Sequence, residues 1–244
     1  MTELPQRDRN LLEYLFRHKV ARIDQIRRDV FNDVNKRYIY KRIEYLRKLD
    51  LVTPRAYYVN NKPKLAYQIT QNAIGVIAKD FPYKIDKAVV KSDSIFHDMG
   101  LLDVVEAMKN LELVDTVVHE NVLRSCSQLE DEEDTREFVW LRSDALIYLR
   151  GPNYLANVAL EYDRIPKSMA RYRNKFEHYY RKKKIHAVLF ISKNETLLKK
   201  LMKVDHEASQ GIKSKIYFAR YDDVISMPKE LTFTNYKGGK IILN

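Results

Sequence analysis

The chain has 244 residues, 45% of them hydrophobic, with a formal net charge of +11 and one cysteine. This size is enough for one large or two small domains with buried cores. The single Cys126 excludes an internal disulfide and a cysteine-based zinc site. No apolar run reaches the roughly 18 residues of a membrane span, and the N-terminus lacks a signal-peptide pattern. The sequence therefore predicts a cytoplasmic protein without membrane insertion.

The positive charge is concentrated in the first third of the chain. Residues 1–80 hold 17 Lys and Arg against 9 Asp and Glu. Basic side chains that neutralise phosphates release counterions from a nucleic acid and so favour binding. The charge indicates a polyanionic partner, with nucleic acid as the first candidate and a basic protein without such a partner as the alternative.

Three segments of residues 1–80 have apolar residues at helical spacing. The first is marked by Leu11, Leu12, Leu15 and Phe16, and the second covers residues 23–31 with Ile26 and Val30 on one face. The third runs through VNKRYIYKRIEYLRKL, with a predicted cap at Asn32 and Asp33. Its predicted buried stripe is Ile39, Ile43, Leu46 and Leu49, and its opposite face is Arg37, Lys41, Glu44 and Lys48.

The segments LVTPRAYYV and KLAYQIT flank a turn from Asn60 to Pro63 and predict a β-hairpin. Three helices followed by such a wing is the order of a winged helix, whose third helix enters the DNA major groove. Winged helices also mediate protein contacts, and that alternative stays open. The predicted DNA-binding residues lie on the third helix and the hairpin: Lys36, Arg37, Tyr40, Lys41, Lys48, Lys62 and Lys64.

Residues 81–93 mix Pro82 with charges and lack periodicity, which indicates an inter-domain linker. We therefore predict a winged-helix domain in residues 1–80 and a second domain in residues 94–244. The second begins with a helix (94–111), a strand (114–124), an acidic loop (130–134), a strand (141–149), a turn from Gly151 through Pro152 to Asn153 and a strand (155–162). It continues with a helix opened by Pro166 (167–183), a strand (185–192), a helix (195–207) and a strand (214–220).

Helix, three-stranded meander, helix and strand is the core order of the restriction-endonuclease-like, PD-(D/E)XK nucleases, so the predicted fold class is α/β (α+β). Such nucleases place an Asp on the second core strand and a Glu-x-Lys-like pair on the third. Their acids bind one or two divalent cations. The resemblance implies a Mg²⁺ or Mn²⁺ site with Asp144, Glu161 and Asp163 as ligands, and Glu120 of the first strand as a further carboxylate.

Asp163 occupies the position where these nucleases usually have Lys. In some of them the lysine function comes from the following helix. If Met169, Tyr172, Phe176 and Tyr180 form the buried face of that helix, Lys175 falls on its flank and can reach the acids. Lys167 is the competitor. The alternative to a metal site is a structural network in which the acids pair with Arg164, Arg171 or Lys175.

Eight segments in order resemble landmarks of the plasmid replication-relaxation family, which includes the MobC-type mobilisation relaxases. They are RDRNLLEYLFRHKVARIDQIRRDVF, RIEYLRKLDLV, LAYQIT, SIFHDMGLLDVVEAM, RSDALIYL, LEYDR, RYRNKFEHYY and AVLFIS, within residues 7–203. The resemblance implies a metal-dependent endonuclease that nicks double-stranded plasmid DNA at a transfer origin, alongside accessory and coupling proteins of mobilisation. It makes His97 a candidate neighbour of the site, with a capping or core role as the alternative. Arg142 and Ser143 stand where a Pro often precedes the Asp, and the C-terminal tail has no counterpart.

Other functions are compatible with the same pattern. The main alternative is a non-catalytic DNA-binding protein, such as a plasmid replication accessory factor or a transcriptional repressor. A tyrosine-nucleophile relaxase is disfavoured because its metal site needs clustered histidines, and the six histidines here are dispersed. The basic run RKKK, Arg181 to Lys184, is either a helix end favoured by its dipole or a phosphate contact.

Overall fold

The computed structural model describes residues 4–87, 92–151, 154–226 and 229–244. Part of the predicted linker (88–91) and two residues of the predicted turn (Pro152 and Asn153) lie outside these ranges. Contacts divide the chain into two units, residues 1–102 with 124–128 and residues 103–123 with 129–244. The linker at residues 81–93 and the domain limits beside it stay a prediction. No helix in the described ranges is both long and apolar enough to cross a bilayer.

The first unit contains the three helices and the hairpin that the sequence predicts. Its main elements are α1 (Gln6–His18), β1 (Ala21–Arg22), α2 (Ile23–Asp29), α3 (Lys36–Lys48), β2 (Val52–Val59), β3 (Lys62–Ile69) and α4 (Ile74–Ile77). The three strands form an antiparallel sheet in the order β1-β3-β2. The short strand β1 was not predicted, and it adds a third strand beside the hairpin.

Helix α3 begins and ends slightly differently from the prediction. Its N-cap is Asn35, whose side-chain oxygen accepts a hydrogen bond from the Tyr38 amide at 2.9 Å, so the predicted cap at Asn32 and Asp33 is wrong. The stripe Ile39, Ile43 and Leu46 is buried as predicted. Leu49 is 45% exposed because the helix ends at Lys48 and Leu49 becomes its C-cap.

The hairpin turn is tighter than expected. Asn60 and Asn61 both have left-handed backbone conformations, with φ of 49° and 61°, and Val59 pairs directly with Lys62. A two-residue turn with two positive φ angles matches the right-handed twist of the flanking strands, and Asn tolerates this conformation. Pro63 therefore lies in β3 and not in the turn.

The remaining elements alternate helices with strands. They are α5 (Ile95–Lys109), β4 (Val114–His119), α6 (Glu120–Ser125), α7 (Gln128–Asp131), α8 (Arg136–Leu141), β5 (Ala145–Arg150), β6 (Leu155–Asp163), α9 (Met169–Arg181), β7 (Ala187–Ser192), α10 (Glu195–Ala208), β8 (Ile216–Arg220), α11 (Tyr221–Ile225), β9 (Leu231–Thr234) and β10 (Lys240–Leu243).

One sheet of seven strands forms the centre of the second unit, in the order β10-β9-β8-β7-β6-β5-β4. Strands β4, β5 and β6 form the predicted antiparallel meander, and β6, β7 and β8 run parallel. The α9 and α10 crossovers make that parallel order possible. The predicted mixed α/β fold class is confirmed. The antiparallel strands β9 and β10 extend the sheet with a C-terminal hairpin that was not predicted.

Two predicted strands are shorter than expected. The strand predicted for residues 114–124 ends at His119, and Glu120 opens α6 instead. The strand predicted for residues 141–149 begins only at Ala145. Arg142 has φ of 52° and caps α8 in the left-handed conformation, so the chain turns before it enters the strand. Asp144 therefore lies immediately before β5 and not within it.

Two further boundaries differ. The acidic run 130–134 is exposed as predicted, but it begins in α7 and ends in the following turn. Helix α9 starts at Met169, with Ser168 as the N-cap that accepts a hydrogen bond from the Arg171 amide at 3.3 Å. Pro166 precedes this cap, so the prediction that it opens the first turn is wrong.

An aromatic cluster fixes α9 on the sheet. Tyr172 and Phe176 of α9 pack against Phe190 of β7, with ring centroids 6.0 Å apart in both pairs. Tyr172, Phe176 and Tyr179 are the buried face of this helix, whereas Tyr180, predicted as buried, is only half-buried. This packing determines the position of every other side chain on α9.

Asp205 is a fully buried carboxyl group on α10. It accepts hydrogen bonds from the Tyr180 hydroxyl at 2.6 Å and the Ser214 hydroxyl at 3.2 Å. Burial raises the pKa of Asp205 to about 6, although these hydrogen bonds and the charges of His206 and Lys237 act in the opposite direction. The folded state therefore binds a proton more tightly than the unfolded chain does.

We expect this group to make the protein less stable as the pH rises. Between the unfolded pKa near 3.8 and the folded pKa near 6 the folded state holds more protons, so the free energy of unfolding falls by at most about 3 kcal/mol across this window. Asp205→Asn should remove that contribution. Urea unfolding of both proteins at pH 4, 5, 6 and 7 measures it, and an equally steep decline in the variant would contradict the assignment.

Candidate active site

Strand β6 presents two carboxylates on one face. Glu161 and Asp163 alternate with Tyr162, and successive side chains of a strand point to opposite sides. Both acids are only 4% exposed. Tyr162 packs on the other side, with its ring 5.4 Å from that of Tyr221. The two acids therefore lie on one face of β6, and contacts with α9 decide their environment.

Both carboxylate oxygens of Glu161 are held by α9. The Lys175 ammonium donates to Oε2 at 2.5 Å, and the Tyr179 hydroxyl donates to Oε1. The Ser143 hydroxyl lies 2.9 Å from the Tyr179 hydroxyl, at the start of the turn that leads into β5. The chain of contacts Ser143, Tyr179, Glu161 and Lys175 links α8, α9 and β6 at one place.

Asp144 reaches the same place from the adjoining turn. Its amide donates to the Leu160 carbonyl at 3.1 Å, and its Oδ2 accepts a hydrogen bond from the Tyr162 amide at 2.7 Å. Asp144 is therefore held against β6 by its backbone at Leu160 and by its carboxylate at Tyr162, the two neighbours of Glu161. The negative charge of Asp144 acts on Glu161 and contributes to the rise in its pKa.

The electrostatics of this cluster depend on burial and on one cation. Burial raises the pKa of Glu161 to about 7, with Asp144 adding to the rise and Lys175 opposing it. Burial lowers the pKa of Lys175, but the charges of Glu161, Asp144 and Asp163 outweigh it and hold that pKa above its ordinary value. Lys175 is thus a cation on which all three predicted acids act.

Asp163 has its own partner. The Lys167 ammonium lies 2.5 Å from Asp163 Oδ1, and the hydroxyl of Tyr172 interacts with the same carboxylate. In the part of the chain that the structure describes, Asp163 does not join Asp144 and Glu161 in one cluster of closely spaced ligand atoms. The two candidate lysines therefore pair with different acids. Lys175 pairs with Glu161, and Lys167 pairs with Asp163.

Glu120 and His97 occupy other positions. Glu120 begins α6, contrary to its predicted place on a strand, and its amide donates to the Asp144 carbonyl at 3.0 Å. His97 belongs to the first unit, where its Nδ1 lies 3.2 Å from Asp98 Oδ1. Lys19 also contacts that oxygen, at 3.3 Å. The role of His97 as a neighbour of the site stays a prediction.

Sequence reasoning missed Tyr179 and Ser143. Tyr179 is absent from the predicted site residues, yet it follows Lys175 by four residues and so lies near it on α9. That spacing was the available signal. Ser143 directly precedes Asp144, but its contact with Tyr179 results from the packing of α8 on α9 and has no local pattern.

The first unit presents a basic face along α3. The residues that line its shallow depression are Lys36, Arg37, Tyr40, Lys41, Glu44, Tyr45 and Lys48. All seven predicted DNA-binding residues, including Lys62 and Lys64 of the hairpin, are exposed. Among described residues, none of their six cations forms an ion pair, whereas Arg42 on the inner side of α3 pairs with Asp8. Their charge is therefore presented to solvent.

A family model described as replication-relaxation matches residues 12–187. The chain belongs to the replication-relaxation family. The matched range includes α3 of the first unit and the Asp144, Glu161 and Lys175 cluster of the second. The family therefore covers both the basic face and the acidic cluster.

Comparison with other proteins adds little to the family assignment. Among solved structures, that of the restriction endonuclease FokI is similar at 11% sequence identity and a TM-score of 0.26. The similarity covers 90% of this chain and 43% of that chain, so this replication-relaxation protein spans less than half of the FokI structure. No curated protein matches the sequence.

Proposed function

We propose that this protein is a plasmid mobilisation relaxase of the MobC type, a metal-dependent endonuclease that binds double-stranded plasmid DNA and nicks it at a transfer origin. The observation that carries the proposal is the buried Glu161 held beside Asp144 and Lys175 on β6 and α9. A chain that needed these residues only for packing would not require a buried acid beside a second, half-buried one.

The donor set fits a hard divalent cation. Asp144 and Glu161 offer carboxylate oxygens, which Mg²⁺ and Mn²⁺ prefer, and the repulsion that Asp144 exerts on Glu161 favours a cation beside them. Asp163, the third acid of the proposal, stands apart from these two among the described residues and acts on the site through the charge it exerts on Lys175. When bound, such a cation polarises the scissile phosphate and lowers the pKa of bound water.

The residues of the chain itself have distinct parts in this proposal. The Lys175 ammonium stabilises negative charge on the phosphate oxygens, because it is held charged beside the acids. Tyr179 orients Glu161 through its hydrogen bond, and Ser143 positions Tyr179. The basic face of α3 binds the duplex and supplies most of the affinity, with Arg37 and Lys41 on phosphates.

One observation favours a second candidate function. Both Glu161 oxygens already have donors in Lys175 and Tyr179, as they would in a structural ion-pair network. On that basis the protein is a non-catalytic DNA-binding protein, a replication accessory factor or a repressor. Incubation of supercoiled plasmid with the protein in Mg²⁺, in Mn²⁺ and in EDTA separates the two. Open-circular product only with metal supports the relaxase, and intact plasmid in all three supports the second candidate.

DNA affinity is expected to depend on α3. Replacing Arg37 and Lys41 with Ala should weaken duplex binding and flatten its salt dependence. The plot of log K against log salt has a negative slope, and each lost phosphate contact reduces the steepness of that slope by about 0.9. Fluorescence anisotropy of a labelled duplex, titrated at salt concentrations from about 50 to about 200 mM, measures this slope. Lys200→Ala, an exposed lysine on α10, is the matched control. A double variant that folds and keeps the wild-type slope would exclude this face.

A further inference from the structure

The single tryptophan of the chain lies on the surface of the second unit. Trp140, on α8, is 59% exposed. Burying a ring of this size is favourable, so a protein that leaves its only tryptophan in solvent loses that stabilisation. An indole left exposed in this way is typical of a binding surface, and its neighbours indicate the kind of ligand.

Cations and an imidazole surround this indole. The Lys182 ammonium lies 4.4 Å from the centre of the Trp140 ring, and the His178 ring stands at 82° to it with centroids 5.2 Å apart. The neighbouring Arg181 and Lys183 are exposed. Among described residues, Lys182 and Lys183 form no ion pair. Arg181 pairs with Glu177 at 3.8 Å. The surface therefore combines an aromatic face with the charges of Lys182 and Lys183, with which no carboxylate of the described residues pairs.

Helix α9 also supplies Lys175 and Tyr179 to the acidic cluster. Lys175 and His178 are three residues apart on one side of α9, and Lys182 directly follows the helix as its C-cap. Trp140 precedes Ser143 by three residues, and the Ser143–Tyr179 contact joins the two helices. From Lys175 to its end at Arg181 the helix advances about 9 Å, roughly the rise of two to three nucleotides of a DNA strand at about 3.4 Å each.

We propose that Trp140, His178 and Lys182 form a stacking site for one unpaired base of the DNA strand, a few nucleotides from the phosphate held near Lys175. The base stacks on the indole, while Lys182 and its basic neighbours contact the adjoining phosphates. Base pairs within a duplex are already stacked on both faces, so the site selects a melted or nicked strand. Its position relative to the scissile phosphate rests on the proposed function, but the binding of a base does not.

The lone tryptophan reports directly on this site, because no other residue contributes indole fluorescence. The protein carrying Arg37→Ala and Lys41→Ala, which limits binding through α3, is titrated in EDTA with oligothymidylate, with a duplex of the same length and with heparin. We expect oligothymidylate to quench the emission strongly. Duplex and heparin, which offers charge without bases, should quench it weakly.

Substitutions test the energetic contribution of the ring. In the same background, Trp140→Ala should raise the Kd for labelled oligothymidylate by about fivefold to a hundredfold, and Trp140→Phe should recover most of that loss because a phenyl ring still stacks. Tyr154→Ala, which removes another exposed aromatic ring, should leave the Kd unchanged.

Three outcomes would overturn the stacking site. The first is an unchanged Kd for Trp140→Ala, and the second is quenching by heparin as strong as that by oligothymidylate. The third is self-association of the protein that Trp140→Ala abolishes while oligonucleotide binding stays the same. Quenching by oligothymidylate without plasmid nicking would support the stacking site while contradicting the nuclease.

Discussion

Glu161→Gln is expected to lower the rate of plasmid nicking by about a hundredfold or more while duplex binding stays at the wild-type level. Glutamine keeps the size of the side chain and can accept the hydrogen bond from Tyr179, but it removes the charge that holds a divalent cation and Lys175. The basic face of α3 belongs to the other unit and keeps its charge. Conversion of supercoiled to open-circular plasmid in Mg²⁺ measures the loss, beside duplex anisotropy.

Glu177→Gln provides a matched control for this experiment. It also changes Glu to Gln, but at an acid of α9. Among the described ion pairs, Glu177 has only that with Arg181, at 3.8 Å. We expect this variant to nick at the wild-type rate. If Glu161→Gln also nicks at the wild-type rate, β6 is not the active site and the non-catalytic alternative becomes the better one.

The environment of Tyr179, the tyrosine in contact with Glu161, disfavours a role as nucleophile. Tyr179 is fully buried, its hydroxyl donates to Glu161, and burial raises its pKa well above the ordinary value. A phenol in this state is a poor nucleophile, because attack on a phosphate requires the phenolate and access to DNA. A protein–DNA adduct that survives denaturant would instead indicate a tyrosine nucleophile and contradict the assignment of the acids.

Regular periodicity made part of the site predictable from sequence. The sequence correctly put Glu161 and Asp163 on the third strand of the meander, and the helical spacing of α9 correctly put Lys175 on the flank of its buried side. Both patterns extend over nine residues or more, so tertiary contacts reinforce them without shifting the register. In α3 the same reasoning identified the buried stripe from Ile39 to Leu46 and the opposite basic face.

Short elements were less predictable. Helices α6, α7 and α8 span six residues or fewer, too few for a helical period to appear, and so Glu120 and Asp144 were placed on strands. The cap of α3 was misplaced because the segment NDVN offers three capping side chains and only packing selects Asn35. The contact between Ser143 and Tyr179 depends on residues 36 positions apart, which no local pattern reveals.

Lys175→Met is expected to lower the free energy of unfolding by about 3 kcal/mol, because it leaves the buried Glu161 carboxylate without its compensating charge. The double variant with Glu161→Gln should recover most of this loss, since neither buried charge then remains. Lys167→Met is the control. Its side chain is 36% exposed, so loss of its pair with Asp163 should cost no more than about 1 kcal/mol. Urea unfolding of the wild type, the two single variants Lys175→Met and Glu161→Gln, and the double variant gives the coupling energy, with Lys167→Met measured beside them.

The pH dependence of that loss distinguishes an ion pair from a neutral contact. With Lys175 present, the pKa of Glu161 is about 7, and removal of the ammonium takes away the cation that opposes its rise. At pH 8 the wild-type pair is largely ionised, so Lys175→Met should cost more than at pH 6, where Glu161 can hold a proton in both proteins. Added Mg²⁺ should stabilise the variant more than the wild type at pH 8, because the cation would replace the lost charge beside Asp144 and Glu161. Equal losses at both pH values, with no difference between the two proteins in their response to Mg²⁺, would mean that Glu161 is neutral in the folded protein and holds no cation.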